Sequence, residues 1–147
     1  MAFGLVCPQG ANVIGVDPSF RASATRASEV LRASGRVPVL LNTTSGKAAP
    51  LVSRLAPEGI DCLYIDGDHS QGACLRDWQA YYPLVKPGGL ILVHDVANPH
   101  CPFVVQDWKR ITAAGNFASV EVIAHDSEFL TKRGKRKVGF GVIVKWE

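Results

Sequence analysis

The sequence predicts a doubly wound α/β domain with a mostly parallel sheet and a C-terminal antiparallel hairpin. Four short apolar runs lack the alternation of half-exposed strands, as expected of strands covered on both faces. Helical patterns separate them, so that strand and helix alternate as in successive βαβ units. The tail breaks the alternation with two β-rich runs and no helix between them, which is the pattern of a hairpin.

In chain order the expected elements begin with a strand "NVIGV", Asn12 to Val16, and a helix from Ala22 to Ser34. A second strand "VPVLL", Val37 to Leu41, precedes a helix from Gly46 to Leu55. The third strand, "DCLYI" from Asp61 to Ile65, leads to a helix from Gln71 to Val85. The fourth, "LILVH" from Leu90 to His94, leads to a helix from Pro102 to Ala114. "ASGR", "APEG" and "KPGG" supply glycine where each of the first three helices should stop. "SVEVIAHD" and "KVGFGVIVKW" then pair about a basic turn containing Gly134, "TKRGKRK", which reads as a solvated hairpin tip.

At 147 residues, with no repeat, linker or low-complexity segment, residues 1–147 read as one domain. About half of the chain is apolar and a fifth charged, and no run of uncharged apolar residues is long enough to cross a membrane. Cys7, Cys62, Cys74 and Cys101 lie far apart without a CxxC pair, so free thiols in a reducing compartment are expected. The first residues lack the basic and apolar regions of a signal peptide, and a cytoplasmic location is the expectation. A net charge of +3 is too small to argue for a nucleic-acid partner.

Two fragments imitate phosphate loops and fail on inspection. "TTSGKAAP" lacks the first glycine of a P-loop and the hydroxyl after its lysine. "GFGV", Gly139 to Val142, sits within a strand with no helix after it, and reads instead as a bulge or a close backbone contact. Trp78, Tyr81, Tyr82 and Trp108 lie at helical spacing and read as core.

Ligands of open parallel sheets bind beyond the carboxyl ends of the strands. Asp17 follows the first strand; Thr43, Thr44 and Ser45 follow the second. Asp66, Asp68 and His69 follow the third, and His94, Asp95 and Asn98 end or follow the fourth. Asp17 or Asp95 alone could serve a turn or a cap. Asp66 and Asp95 together are harder to explain so, because like carboxylates on neighbouring strand ends repel unless a cation or donor lies between them. Oxygen ligands with one imidazole suit magnesium, manganese or iron better than structural zinc.

The block "IDCLYIDGDHSQGACLRDWQAYYPLVKPGGLILVHDV", Ile60 to Val96, resembles the central part of class I S-adenosylmethionine-dependent methyltransferases. It is closest to the group resembling rhamnosyl O-methyltransferases and cephalosporin hydroxylases. "VIGVDPSF" and "NTTSGKAAPLVSRL" extend the likeness over the second and third strands of that Rossmann-like fold, and the hairpin matches its last two. The resemblance implies that Asp17 grips the ribose hydroxyls of S-adenosylmethionine, that Thr44 and Ser45 hold the adenine end, and that Asp66 also faces the cofactor. It implies a divalent ion, Mg2+ or another, on Asp66, His94 and Asp95, lowering the pKa of a hydroxyl on a small molecule or sugar. His69 is the candidate general base, and Asp66 stands beside it at the reacting centre.

The family's first strand and glycine-rich loop have no counterpart in "MAFGLVCPQGA", so an N-terminal truncation is expected. "AFGLV" could itself act as a strand, antiparallel to "NVIGV" because their link is short. The loss would leave two strand edges to be paired directly or filled, and a homo-oligomer, strand-swapped across copies, follows from them. Two other readings stand beside methyl transfer. One is a non-catalytic remnant or assembly module of the same fold; the other takes "DGDHS" for the nucleophile motif of a haloacid dehalogenase-like phosphatase.

Overall fold

Residues 7–115, 117–131 and 134–146 are described in the computed structural model of the chain. The "AFGLV" strand and the two residues at the hairpin tip lie outside them. Two compact units are present, within Met1–Leu55 and Ala56–Glu147.

The first unit contains β1 (Asn12–Val16), α1 (Ala22–Ala33), β2 (Val37–Leu41) and α2 (Ser45–Leu55). β1 and β2 pair in parallel from Asn12↔Val37 to Val16↔Leu41. Parallel neighbours need a crossover, and α1 supplies it. The "ASGR" stop acts as expected: Gly35 takes φ +78°, and the Gly35 and Arg36 amides bond back to the Arg32 and Leu31 carbonyls at 3.0 Å each. Gly46 and Lys47 of the rejected P-loop lie in the first turn of α2.

The second unit contains β3 (Ile60–Ile65), α3 (Ala73–Tyr81), a 3-10 turn (Tyr82–Leu84), β4 (Val85–His94), α4 (Pro102–Ala114), β5 (Ala118–Thr131) and β6 (Gly134–Val144). The sheet order is β3-β4-β6-β5. β3 and β4 are parallel, whereas β6 runs antiparallel to both β4 and β5, so the expected hairpin closes the sheet. Among the described residues no strand precedes β1, and β1 and β3 are each an edge of their own sheet.

The core of this unit forms where Ile91, Val93 and Ile143 of the sheet meet Trp78, Trp108 and Ile111 of α3 and α4. The Trp108 ring is buried against Gly141, where a Cβ would lie 2.4 Å from its Cη2 atom. The "GFGV" glycines thus permit close approach, as the sequence indicated. The indole N–H of Trp108 donates to Glu121 Oε1 at 2.7 Å, so its polar end is satisfied too.

The "KPGG" expectation needs correction. α3 ends at Tyr81 and the 3-10 turn continues it, with Pro83 ending the helical run; "KPGG" lies inside β4. The register slips there, from Ile60↔Val85 to Cys62↔Leu90. Gly88 adopts φ +78°, and a Cβ on Gly89 would meet Val85 Cγ1 at 2.6 Å, so both glycines serve a bulge rather than a helix stop. The bulge is held by Lys145, whose amide donates to the Gly89 carbonyl at 3.0 Å and whose carbonyl accepts from Gly88 N at 2.6 Å. The buried Lys145 ammonium donates to the Val85 carbonyl at 2.7 Å and to the Tyr82 carbonyl at 3.2 Å.

α3 starts with no side-chain cap of its own. Asp107 of α4, 1% exposed, reaches across and accepts from the Leu75 amide at 3.2 Å, placing a carboxylate at the positive end of α3.

Replacing Gly141 by Ala is expected to destabilise the chain by about 1–3 kcal/mol through overpacking against Trp108. A urea midpoint equal to the parent's would show that the indole can shift without cost. Burial, aided by the Asp107 charge, pushes the Cys74 thiol from its ordinary 9.0 up to about 12. Above 9.0 the unfolded chain sheds this proton while the folded chain keeps it, so this contribution to stability is full below 9.0 and is lost as pH rises towards about 12. Alkylation followed by mass spectrometry should modify exposed Cys62 and spare Cys74 at pH 9; equal labelling would refute the assignment.

Candidate active site at the ends of the third and fourth strands

Parallel pairing of Ile65 with Val93 brings the carboxyl ends of β3 and β4 level. Asp66 leaves β3 at this point, and His94 and Asp95 end and follow β4. Asp95 is the one described non-glycine residue with positive φ, +61°. A left-handed aspartate is costly unless its surroundings hold it. Here the buried Asn98 does so, donating from its side-chain amide to Asp95 Oδ1 at 2.9 Å and from its backbone N–H to the Asp95 carbonyl at 3.1 Å.

The other oxygen, Asp95 Oδ2, faces inward. His94 Nδ1 lies 3.3 Å from it and 3.3 Å from Asp66 Oδ1. His69 Nε2 stands 3.8 Å and 3.7 Å from the same two oxygens. Tyr64 donates from its hydroxyl to the second oxygen of Asp66 at 3.2 Å; burial and then the Asp66 charge drive this phenol well above its ordinary range. His94 Nδ1 is buried and makes no hydrogen bond of its own among the described residues. Two ligands at the usual 2.0–2.2 Å from a shared cation sit roughly 3 to 3.4 Å apart, which is the spacing of His94 Nδ1 from each carboxylate oxygen. Asp66, His94 and Asp95 therefore fit a divalent ion, with the unpartnered ring nitrogen as one ligand.

Asp68 belongs to the loop. It accepts from the Ser70 hydroxyl at 2.5 Å and from the Ser70 amide at 2.9 Å, and these bonds hold its carboxyl below the usual range, the hydroxyl contributing most. It closes the turn that carries His69 towards α3 rather than joining the cluster. A residue outside the sequence expectation does join: Cys101, the N-cap of α4, places its Sγ 3.2 Å from His69 Nδ1 and 3.5 Å from Asp95 Oδ2. No local pattern could have signalled this, since His69 and Cys101 are 32 residues apart. A hollow of about 510 Å³ beside Trp78, Tyr82 and Trp146 is lined by none of these groups and has Arg110 as its charged side chain. Asp66, His69 and His94 instead line a separate shallow depression.

In the first unit, Asp17, Thr44 and Ser45 lie at the carboxyl ends of β1 and β2. Asp17 is exposed; its amide donates to the Leu41 carbonyl at 3.2 Å, and its Oδ1 accepts from Ser19 N at 2.6 Å. This turn bond leaves the carboxylate exposed at the carboxyl end of β1. Thr44 caps α2 through its carbonyl, which accepts from Lys47 N at 3.1 Å and Ala48 N at 3.0 Å. Among the described residues, no helix is long and apolar enough to cross a membrane.

Comparison with known proteins gives three informative matches. An uncharacterised protein of Acanthamoeba polyphaga mimivirus is 44% identical over 46 residues, 31% of this chain and 20% of that protein. The O-methyltransferase TomG from Streptomyces achromogenes, involved in tomaymycin synthesis and solved with S-adenosylmethionine, superposes with a TM-score of 0.67 at 11% identity, covering 97% of this chain and 66% of that one. MycE methyltransferase from the mycinamycin biosynthetic pathway, solved with magnesium and S-adenosylhomocysteine, superposes with a TM-score of 0.54 at 15% identity, covering 99% of this chain and 47% of that one. The two structures share the mixed α/β, Rossmann-like architecture, and this chain spans less than two thirds of the length of all three proteins. The family model described as a methyltransferase domain matches residues 1–96, well over half of the sequence. The chain belongs to the methyltransferase domain family.

Proposed function

We propose that this chain carries out S-adenosylmethionine-dependent O-methyl transfer to a hydroxyl of a small molecule or sugar, assisted by a divalent cation. The convergence of Asp66, His94 and Asp95 on one point, with His94 Nδ1 buried and unpartnered, is the observation that carries the reading. TomG, a methyltransferase of tomaymycin synthesis, and MycE, a methyltransferase of the mycinamycin pathway solved with magnesium, support it.

When bound, S-adenosylmethionine supplies an electrophilic methyl group, and the cation supplies Lewis acidity towards the acceptor oxygen. Asp17 would hold the ribose hydroxyls, with Thr44 and Ser45 at the adenine end. Asp66, His94 and Asp95 would hold the cation, Asp66 facing the reacting centre. His69 takes the acceptor proton at Nε2, the nitrogen turned towards Asp66 and Asp95, while Nδ1 is steadied by Cys101. Transfer depends mainly on orientation, which the Asn98 and Tyr64 bonds to the two carboxylates maintain.

Both compact units would act as a single domain, and the edges of β1 and β3 support a homo-oligomer built by strand pairing across copies. Light scattering at the chain mass would exclude that assembly. Asp68, occupied with Ser70, gives no support to the phosphatase alternative, which needs both aspartates of the motif at one centre.

Titration calorimetry with S-adenosylhomocysteine, with and without magnesium, tests the reading. Asp17→Asn should weaken cofactor binding roughly 10- to 100-fold, the loss of charge-assisted hydrogen bonds. Asp95→Asn should abolish magnesium binding and leave the cofactor affinity within a few-fold. No heat at millimolar cofactor would overturn the proposal, and magnesium binding that survives Asp95→Asn would overturn the cation site.

A further inference from the structure

We propose that His69, Asp95 and Cys101 form a binding site for a borderline transition-metal cation of the Zn2+ class, which shares Asp95 with the Asp66, His94 and Asp95 set but differs from it in its other two ligands. One ligand atom from each of His69, Asp95 and Cys101 lies within 4.8 Å of the other two. Around a tetrahedral zinc, thiolate-to-nitrogen and thiolate-to-oxygen separations are about 3.6 Å. The structure has 3.2 Å from Sγ to Nδ1 and 3.5 Å from Sγ to Oδ2, so the donors already stand near ligand spacing.

The frame around these donors is built. Asn98 fixes Asp95 through Oδ1, and its own Oδ1 accepts from His100 N at 3.0 Å. Its carbonyl accepts from Cys101 N at 3.0 Å. One buried asparagine thus sets both the carboxylate and the thiol. Cys101 is the N-cap of the 13-residue α4, the end of a helix dipole that favours an anionic ligand. The His69 side chain is 37% exposed, which gives an ion a way in and leaves a fourth position for water.

Ligand chemistry separates this site from the neighbouring one. A thiolate with an imidazole selects Zn2+, Co2+ or similar ions, whereas Mg2+ keeps to oxygen donors. Binding releases the thiol proton to solvent. Ligation through Nδ1 also leaves the His69 proton on Nε2, the atom given the base role above. In that one respect the inference rests on the proposed function: a filled thiolate site and a proton-accepting His69 exclude each other.

Cobalt titration of the full chain, after chelator treatment and reduction, tests the site without reference to activity. A near-ultraviolet sulfur-to-cobalt charge-transfer band is expected, removed by equimolar Zn2+ and unaffected by excess Mg2+. The band should disappear in Cys101→Ser and persist in Cys62→Ser and Asp66→Asn. If circular dichroism shows Cys101→Ser unfolded, His69→Gln, which retains the thiol, must weaken cobalt binding at least tenfold. Absence of the band at saturating cobalt, its survival in folded Cys101→Ser, unchanged affinity in His69→Gln, or displacement by Mg2+ would each overturn the proposal. Calorimetry with S-adenosylhomocysteine on the same sample reports separately on methyl transfer, so either reading can fail alone.

Discussion

The in-register pairing of two parallel strands dictates the chemistry of the second unit. Because β3 and β4 end level, Asp66 and Asp95 face one another with carboxylate oxygens inside a 4.8 Å cluster. Two unit charges at that distance repel by on the order of 3 kcal/mol at an effective dielectric near 20, before screening of exposed Asp66. Imidazoles on two sides, an amide on the third and a phenol on the fourth only divide the charge; a cation would neutralise it.

Strain and burial reinforce the arrangement. Asp95 has left-handed backbone dihedrals, which turn its Oδ2 into the cluster instead of along the strand. Asn98 is fully enclosed and spends its hydrogen-bonding groups on Asp95 and the start of the loop that leads to Cys101. This loop is ordered by these polar bonds together with the burial of Val96 and Cys101 in the core.

The sequence was most legible at compact apolar runs bracketed by polar residues, although β1 and β2 are themselves only partly buried. The bounds of β1 and β2 agree to the residue, because continuous apolar runs bracketed by polar residues allow no other register. It was least legible in "KPGG", where glycine and proline signal a reversal but do not say whether a helix or a strand contains it. Asp66, His69, His94 and Asp95 could be found as polar strand ends, since strand polarity places them together. Cys101 and Asp107 could not. Their roles arise from α4 lying beside α3, a tertiary event with no period or spacing to announce it.

Asp107 has a mechanical consequence. The loop bearing His69 runs directly into α3, whose first turn is held by that carboxylate of α4, while the ring of His69 rests against the thiol at the head of the same helix. A single rod therefore governs both the anchor of the loop and the contact at its tip. Sliding α4 along its axis would shift the imidazole's support and the start of α3 together, while Asp66 and His94 stay with the strands that carry them. α4 thus links the loop of His69 to the start of α3, though it contributes only its N-cap to the cluster itself.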